Sequence, residues 1–220
     1  MSKAITIRVH DPLAGLIHFL GFGLSIAGLT ILVTQSAFMG EPWRIVSFSV
    51  FGAGLVLLYL ASTLCHWLPV SGRVEQWFEK FDHVMIYVLI AATYTPVCLV
   101  PLRGGWGWSV FGVIWGLALA GAALKLLRFN TPRWVTSGFY LAMGWMFLVA
   151  MPVIAIKLSG GAIMWLMIGG ACYSVGGIVY AVKWPDPWPM VFGFHEIFHI
   201  FVLAGSLAHF FMMLFHVLPG

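Results

Sequence analysis

Charged residues are scarce in this chain, and their scarcity excludes most classes of soluble protein. Only 8% of the 220 residues are Asp, Glu, Lys or Arg, whereas a soluble domain typically has about 25%. So few charged groups cannot cover a surface that faces water. Strict alternation of apolar and polar residues is also missing, which argues against an outer-membrane barrel. The composition therefore predicts an all-α integral membrane protein.

Three other features are rare or missing: cysteine, clustered basic residues and long polar linkers. Cys65, Cys98 and Cys172 lie in or beside apolar runs at unrelated spacings, so neither a disulfide framework nor a CxxC zinc site is predicted. The net charge of +4 comes from basic residues scattered through short loops, which argues against a nucleic-acid partner. No linker is long enough to separate two domains, and residues 1–220 are predicted to form a single domain.

Most of the sequence consists of long apolar runs. Each is long enough to cross a bilayer as a helix of roughly 20 residues. Seven such runs predict a seven-helix transmembrane bundle: residues 13–37, 45–68, 82–102, 108–127, 135–156, 162–182 and 194–218.

Lysine and arginine in the loops predict how this bundle is oriented, because cytoplasmic loops carry an excess of both. The odd-numbered loops carry only Arg44, Arg103 and Lys157. The N-terminus and the even-numbered loops carry the other basic residues: Lys3, Arg8, Arg73, Lys80, Lys125, Arg128, Arg133 and Lys183. This distribution places the N-terminus in the cytoplasm and the C-terminus outside.

Two histidines stand in the apolar stretch FGFHEIFHIF at the start of the last run. His195 and His199 are four positions apart and share a helix face. They can bind one metal ion, or each can hydrogen-bond a neighbouring helix near the interface. His66, at the end of the second run, is expected at the same membrane depth. Three neutral imidazoles with an open fourth position are a favoured zinc set, so this convergence favours all three histidines as ligands.

Two further polar residues are expected at the same depth and are the candidate catalytic residues. Asp82 begins the third run, and Ser62 lies one turn deeper than His66 on the same face. Asp82 is compatible with a helix N-cap and with an acid that accepts from water at the metal or orients a ligand. The hydroxyl of Ser62 can bond to its own helix or donate to the same water.

Glu196 belongs to HEIFH, which matches the HExxH pattern of zinc proteases, where the glutamate is the general base. On a helix it is offset by about 100° from His195. It can therefore lie at the edge of the pocket, cap the start of the helix or pair with a basic loop residue. Its position at the start of the helix makes a structural role at least as reasonable as a catalytic one.

The remaining histidines and the nearest cysteine are assigned no catalytic role. His18 lies early in the first run and is expected at the same end of the bundle. Cys65 is offset by roughly 100° from the face of the adjacent histidine and is not expected to be a ligand. His83 is expected to face another direction from its neighbour, and His209 and His216 to lie toward the outer side, all three as packing or interfacial groups.

Three stretches carry a resemblance to a known family: ASTLCHW, FDHVMIYVLIAATYTP and VFGFHEIFHIFVLAGSLAHF. In this order, on the second, third and seventh runs, they are highly specific. The chain resembles the bacterial hemolysin III proteins, the prokaryotic branch of the progestin and adipoQ receptor family, which is similar more distantly to alkaline ceramidases. The resemblance covers essentially the whole chain and implies a multi-pass protein of the bacterial inner (plasma) membrane with its N-terminus in the cytoplasm.

The same resemblance implies a zinc ion held by His66, His195 and His199. The serine and the aspartate of the family pattern match Ser62 and Asp82.

One motif of the family is only partly kept. In the first span it usually reads Glu, then Asn, then Thr-His, and the matching places here are Asp11, Ala14, Ile17 and His18. Only the acidic type and the histidine are retained.

The expected function follows from the predicted metal site and its place in the membrane. Zinc lowers the pKa of a bound water and polarises a carbonyl, and the substrate at hand near the inner headgroups is a lipid amide or ester. A zinc-dependent lipid hydrolase is the first hypothesis, and the distant ceramidase similarity implies the same. The alternative is a non-enzymatic, zinc-stabilised sensor or receptor-like regulator of the membrane, with lipid as its ligand.

Two other classes of function find little support in the sequence. No run has a regular polar stripe, which argues against the pore that the word hemolysin implies. A retinal protein would need a lysine in the last run, and residues 194–218 contain none.

Overall fold

The computed structural model describes residues 11–127, 131–189 and 191–219. These residues form helices and connecting loops without a β-strand, and seven helical segments are long and apolar enough to cross a membrane. The predicted seven-helix bundle is thus confirmed. Three of the basic residues that set the predicted orientation, Lys3, Arg8 and Arg128, lie outside the described residues, and the orientation stays a prediction.

The first four spans are single helices: α1 (Pro12–Met39), α2 (Pro42–Trp67), α3 (Arg73–Leu99) and α4 (Gly105–Leu127). The fifth span consists of α5 (Arg133–Gly144), a 3-10 segment (Trp145–Ala150) and α6 (Met151–Lys157). The last two are α7 (Gly160–Val182) and α8 (Phe194–Met212), and α8 continues into a π turn (Met213–Val217).

Proline starts the first two helices, and a glycine ends the first. Pro12 and Pro42 lie at the beginning of α1 and α2, where a missing backbone N–H costs nothing and the fixed φ suits the helix. Gly40 ends α1 with a φ of 72°, a left-handed conformation that glycine adopts without a side-chain clash. The short turn between them therefore brings α2 back beside α1.

The third helix is longer than the apolar run predicted. It begins at Arg73, directly after Gly72, so that Asp82 lies inside the helix. This position excludes the helix N-cap, one of the two interpretations that the sequence left open for Asp82. The added segment, residues 73–81, is rich in Glu, Gln and Lys, which favour helix but lower the local hydropathy. An apolar run marks only the part of a helix that contacts lipid. A polar extension of the same helix is therefore not predicted from hydropathy.

The fifth span is interrupted although its apolar run is continuous. Pro152 lies at the start of α6, and a proline inside a helix removes one hydrogen bond and clashes with the preceding turn. The Tyr94 hydroxyl of α3 lies at this interruption and shares its one proton between the carbonyls of Met143 (3.0 Å) and Gly144 (2.7 Å). It also accepts from the backbone N–H of Phe147 at 3.0 Å. A neighbouring side chain thus satisfies the broken backbone, as a span in lipid requires.

The first helix lies between the second and the last, since α1 packs on both α2 and α8. At one end of the bundle, the Trp67 indole N–H donates to the carbonyl of Pro12 at 3.1 Å. A Cβ on Gly15 would overlap this indole, so glycine is required for the close approach. The end of α2 is thereby fixed beside the start of α1, and the start of α8 lies at the same end.

Candidate metal centre

Three histidines meet where α2 ends and α8 begins. His66 lies in the last turn of α2, and His195 and His199 lie in the first two turns of α8. Each offers one ring nitrogen, and the three nitrogens all lie within 4.8 Å of one another. The convergence that the sequence predicted for these residues is therefore present in the fold, and the group is one that could hold a metal ion.

Two ring nitrogens of this group are spaced much as ligands of one metal ion are. Nε2 of His195 and Nε2 of His199 are 3.1 Å apart, and ligand nitrogens on one tetrahedral zinc ion are separated by roughly 3.3 Å. Nε2 of His66 and Nδ1 of His199 are buried and have no hydrogen-bond partner within the described residues. Buried polar atoms are nearly always partnered, and the unpaired Nε2 of His66 belongs to a group that could hold a metal ion.

Asp11 is a member of this site that the sequence analysis did not assign. Its Oδ2 lies 3.5 Å from Nδ1 of His66 and 3.7 Å from Nδ1 of His195. These two imidazoles, His195 more than His66, hold the pKa of the Asp11 carboxyl below its usual range. The only sequence signal was the acidic residue retained in the first-span motif, directly before the proline that starts α1.

His18 of α1 lies at the same end of the bundle, as expected. Its ring stacks on that of His199 with 3.7 Å between centroids, and it meets the Tyr59 ring edge-on at 5.0 Å. Both ring nitrogens of His18 are buried without a partner among the described residues. His18 is outside the group of three whose nitrogens converge, so the structure places it against the candidate ligands and not among them.

The candidate catalytic residues face the same cavity as the three histidines. This cavity has a volume of about 550 Å³, and Ser62 and Asp82 both line it. The Ser62 hydroxyl is buried and makes no hydrogen bond within the described part of the chain, whereas the neighbouring Thr63 donates to the carbonyl of Tyr59. The alternative that Ser62 bonds to its own helix is therefore not what the structure has, and its hydroxyl is free to meet a ligand.

Apolar side chains form most of the remaining cavity wall. Along α3 the lining extends from Glu75 to Cys98, which is about 34 Å at 1.5 Å per helical residue. At the end opposite the histidines the wall is formed by Leu102, Ile154 and Met212. The cavity is thus long, with most of its ionisable groups at one end and mainly apolar side chains, together with His209, at the other.

His83 differs from its expectation, because it lines the same cavity as its neighbour Asp82. Its Nδ1 lies 2.7 Å from the carbonyl of Glu79, and its Nε2 lies 3.4 Å from the Tyr180 hydroxyl. Adjacent residues on a helix are offset by about 100°, which separates their faces. Both side chains nevertheless line this cavity, while His83 keeps contacts of the packing kind that was expected for it.

The last two histidines lie away from the metal group, as expected. His209 hydrogen-bonds through Nδ1 to the carbonyl of Gly205 at 2.8 Å and stacks on the Tyr173 ring. Nδ1 of His216 lies 3.1 Å from the Ser159 hydroxyl. Both rings therefore have structural partners on α8 or on the chain around α7.

Glu196 caps the start of α8, one of the three roles left open by the sequence. Its Oε2 accepts from the backbone N–H of Gly193 at 2.8 Å, which completes a capping box. Its side chain is buried and does not belong to the group that could hold a metal. The HExxH pattern in this chain thus combines two candidate ligands with a helix cap.

We expect Glu196→Ala to lower the free energy of unfolding by about 1 kcal/mol, the usual cost of a lost cap. Glu196→Gln keeps an oxygen acceptor for the Gly193 N–H and serves as the matched control, with a smaller loss. Thermal unfolding of the purified chain in detergent measures both. A capping role further requires that both variants bind metal with wild-type stoichiometry, and loss of metal from a folded Gln variant would contradict it.

Comparison with known proteins assigns the chain to a family. A family model described as Haemolysin-III related matches residues 7–210. The hemolysin-3 homolog of Bacillus subtilis is 40% identical over 199 residues, which is 90% of each chain. Hemolysin-3 of Bacillus cereus is 39% identical over 218 residues, 98% of this chain and 95% of that one.

A human protein is related more distantly. The monocyte to macrophage differentiation factor is 29% identical over 179 residues, 78% of this chain and 70% of its own length. The bacterial relatives and the seven apolar helices identify a multi-pass bacterial membrane protein, and the inner membrane fits. The chain therefore belongs to the haemolysin-III-related family.

Proposed function

We propose that this protein is a zinc-dependent hydrolase of a lipid amide or ester, and that it acts at the cytoplasmic end of the bundle. One observation carries the proposal: His66, His195, His199, Ser62 and Asp82 all line one long cavity inside a seven-helix bundle. Three imidazoles suit zinc, and a site with three protein ligands keeps a position open for water or substrate.

Each residue has a role that its position supports. His66, His195 and His199 would hold the ion. A zinc ion bound in this way supplies a nucleophile at neutral pH by lowering the pKa of water, and it polarises a carbonyl. Asp82 accepts the proton of the attacking water and passes it to the leaving amine or alcohol as the C–N or C–O bond breaks. The Ser62 hydroxyl, which is buried and has no hydrogen-bond partner among the described residues, donates to the carbonyl oxygen as that oxygen gains charge.

The shape of the cavity supports a lipid as the substrate. The histidine end also carries charged side chains, among them Glu79, Lys125 and Arg133, whereas the far end is mainly apolar, with His209 among its side chains. A lipid placed with its polar group at the charged end would lay an acyl chain along the apolar wall. The carbonyl that joins the two parts of the lipid would then lie near the histidines. The proposal therefore requires a substrate with one acyl chain that can enter the cavity.

Release of fatty acid tests this proposal. The purified full-length chain is reconstituted in nanodiscs and given a panel of lipids with one scissile acyl group each: a ceramide, a lysophospholipid and a monoacylglycerol. We expect at least one to be hydrolysed, the activity to disappear on treatment with a zinc chelator, and zinc alone to restore it. Hydrolysis that survives complete removal of metal, or no hydrolysis of any lipid by zinc-loaded protein, would overturn the proposal.

A second candidate function is a zinc-stabilised membrane sensor. The observation that favours it is that the site connects three helices. Its candidate ligands lie on α2 and α8, and His18 and Asp11, at the first helix, contact these ligands. An ion at this position would lock three helices at one end. The sensor predicts that zinc raises the thermal stability of the chain in the same preparation while no lipid of the panel is cleaved.

A further inference from the structure

Asp11 contacts two of the three candidate ligands at once. A single oxygen of its carboxylate, Oδ2, lies 3.5 Å from Nδ1 of His66 and 3.7 Å from Nδ1 of His195. The two histidines come from different helices, at the end of α2 and at the start of α8. One carboxylate at the beginning of the first span therefore links the two helices that carry the metal group.

The contacts involve the ring nitrogen that a metal would leave free. Nε2 of His195 points to Nε2 of His199, and Nε2 of His66 has no partner within the described residues. A neutral imidazole carries its proton on one nitrogen, and an acceptor beside Nδ1 keeps the proton there. A carboxylate beside both Nδ1 atoms favours the tautomer in which both Nε2 atoms are unprotonated, the form that can bind a cation.

The place of Asp11 is determined by the backbone around it. Its carbonyl accepts from the N–H of Gly15 at 3.0 Å, in the first turn of α1. The next carbonyl along the chain, that of Pro12, accepts from the indole of Trp67, which follows His66 in the sequence. The chain around Asp11 is thus attached to the end of α2 by a contact that does not involve the histidines.

We propose that Asp11 is a positioning residue of the metal centre, which orients His66 and His195 by holding one carboxylate oxygen beside Nδ1 of each. The proposal rests on the metal centre of the proposed function but not on its hydrolase activity. Histidine ligands in metal sites commonly donate their second N–H to a carboxylate, and loss of that partner typically lowers metal affinity 10- to 100-fold. Here one carboxylate serves two ligands, so its removal affects most of the set.

Zinc affinity of the full-length chain tests this role, measured by competition with a chromogenic chelator in detergent. We expect Asp11→Asn to weaken zinc binding about 10- to 100-fold while one ion per chain is still bound at saturation. Asp11→Glu keeps the carboxylate and should restore most of the affinity. The side chain of Asp11 is 47% exposed, so its loss leaves no cavity in the core, and Asp11→Ala provides a second folded variant.

Asp186→Asn is the matched control, because it removes an exposed carboxylate from the loop before α8 and should leave zinc affinity unchanged. Wild-type affinity in both Asp11→Asn and Asp11→Ala would overturn the role of Asp11 and leave the metal centre intact. A wild-type chain that binds no zinc would overturn the metal centre and the role together. Zinc binding that depends on Asp11, without hydrolysis of any lipid, would support the role and reject the hydrolase.

Discussion

Replacement of His195 by alanine is expected to abolish stoichiometric zinc binding. The wild-type chain should retain about one ion per molecule after dialysis, as a site with three protein ligands does, whereas the variant keeps only two of them. Loss of an outer partner already costs 10- to 100-fold in affinity, so loss of a ligand should cost more than about 100-fold. Metal analysis of the purified protein gives the result directly.

This variant is suited to the test because it separates metal binding from folding. The His195 side chain is 28% exposed, so alanine at this position creates less of a cavity than it would at the fully buried His199. His216→Ala is the matched control. This histidine lies in the π turn that continues α8, and its ring contacts the Ser159 hydroxyl instead of the metal group. Stoichiometric zinc in His195→Ala would show that the ion binds elsewhere, and loss of zinc in His216→Ala would show that the assay reports unfolding.

The sequence contained enough information to find the three histidines but not all of their surroundings. His195 and His199 are one helical turn apart, a relation that can be read from spacing alone. His66 joined them because the ends of successive spans alternate between the two membrane faces. Membrane spans make such inferences possible, because the position of a residue within its span already gives its depth in the bilayer.

Asp11 could not be found by the same reasoning. It lies just outside the first helix, where no apolar run gives it a depth, and an acidic residue before a proline is also a common helix start. Its partners are separated from it by much of the chain, with His66 in the second helix and His195 in the last. Contacts of this kind depend on how helices are arranged around each other, which hydropathy does not describe.

Helix boundaries and interruptions were predictable in part, for reasons that differ between spans. The extension of α3 before Asp82 is polar and therefore invisible to a search for apolar residues. The break in the fifth span had a signal in Pro152, but the compensating hydroxyl comes from Tyr94 on another helix. Local sequence shows where a helix can break, and only the packed neighbour shows that the break is tolerated.

Replacement of Asp82 by asparagine is expected to lower the rate of lipid hydrolysis by about 10²- to 10⁴-fold, the usual contribution of a general base. Asparagine has nearly the same shape but cannot accept a proton at neutral pH. Asp82 lines the cavity without belonging to the group whose nitrogens converge, so the variant should keep its zinc. Fatty-acid release from the lipid that the wild-type chain hydrolyses is measured beside zinc content.

Glu79→Gln is the matched control for this prediction, because Glu79 is one turn earlier on α3 and lines the same cavity. It removes a carboxylate from the end that would receive the polar group of the lipid, so it should raise KM while most of kcat is retained. A wild-type rate in Asp82→Asn would exclude Asp82 as the base. Loss of zinc from a folded Asp82→Asn chain would make Asp82 a ligand. A slow variant that keeps its zinc, beside an active Glu79→Gln, would separate the residue that moves the proton from the residues that hold the metal.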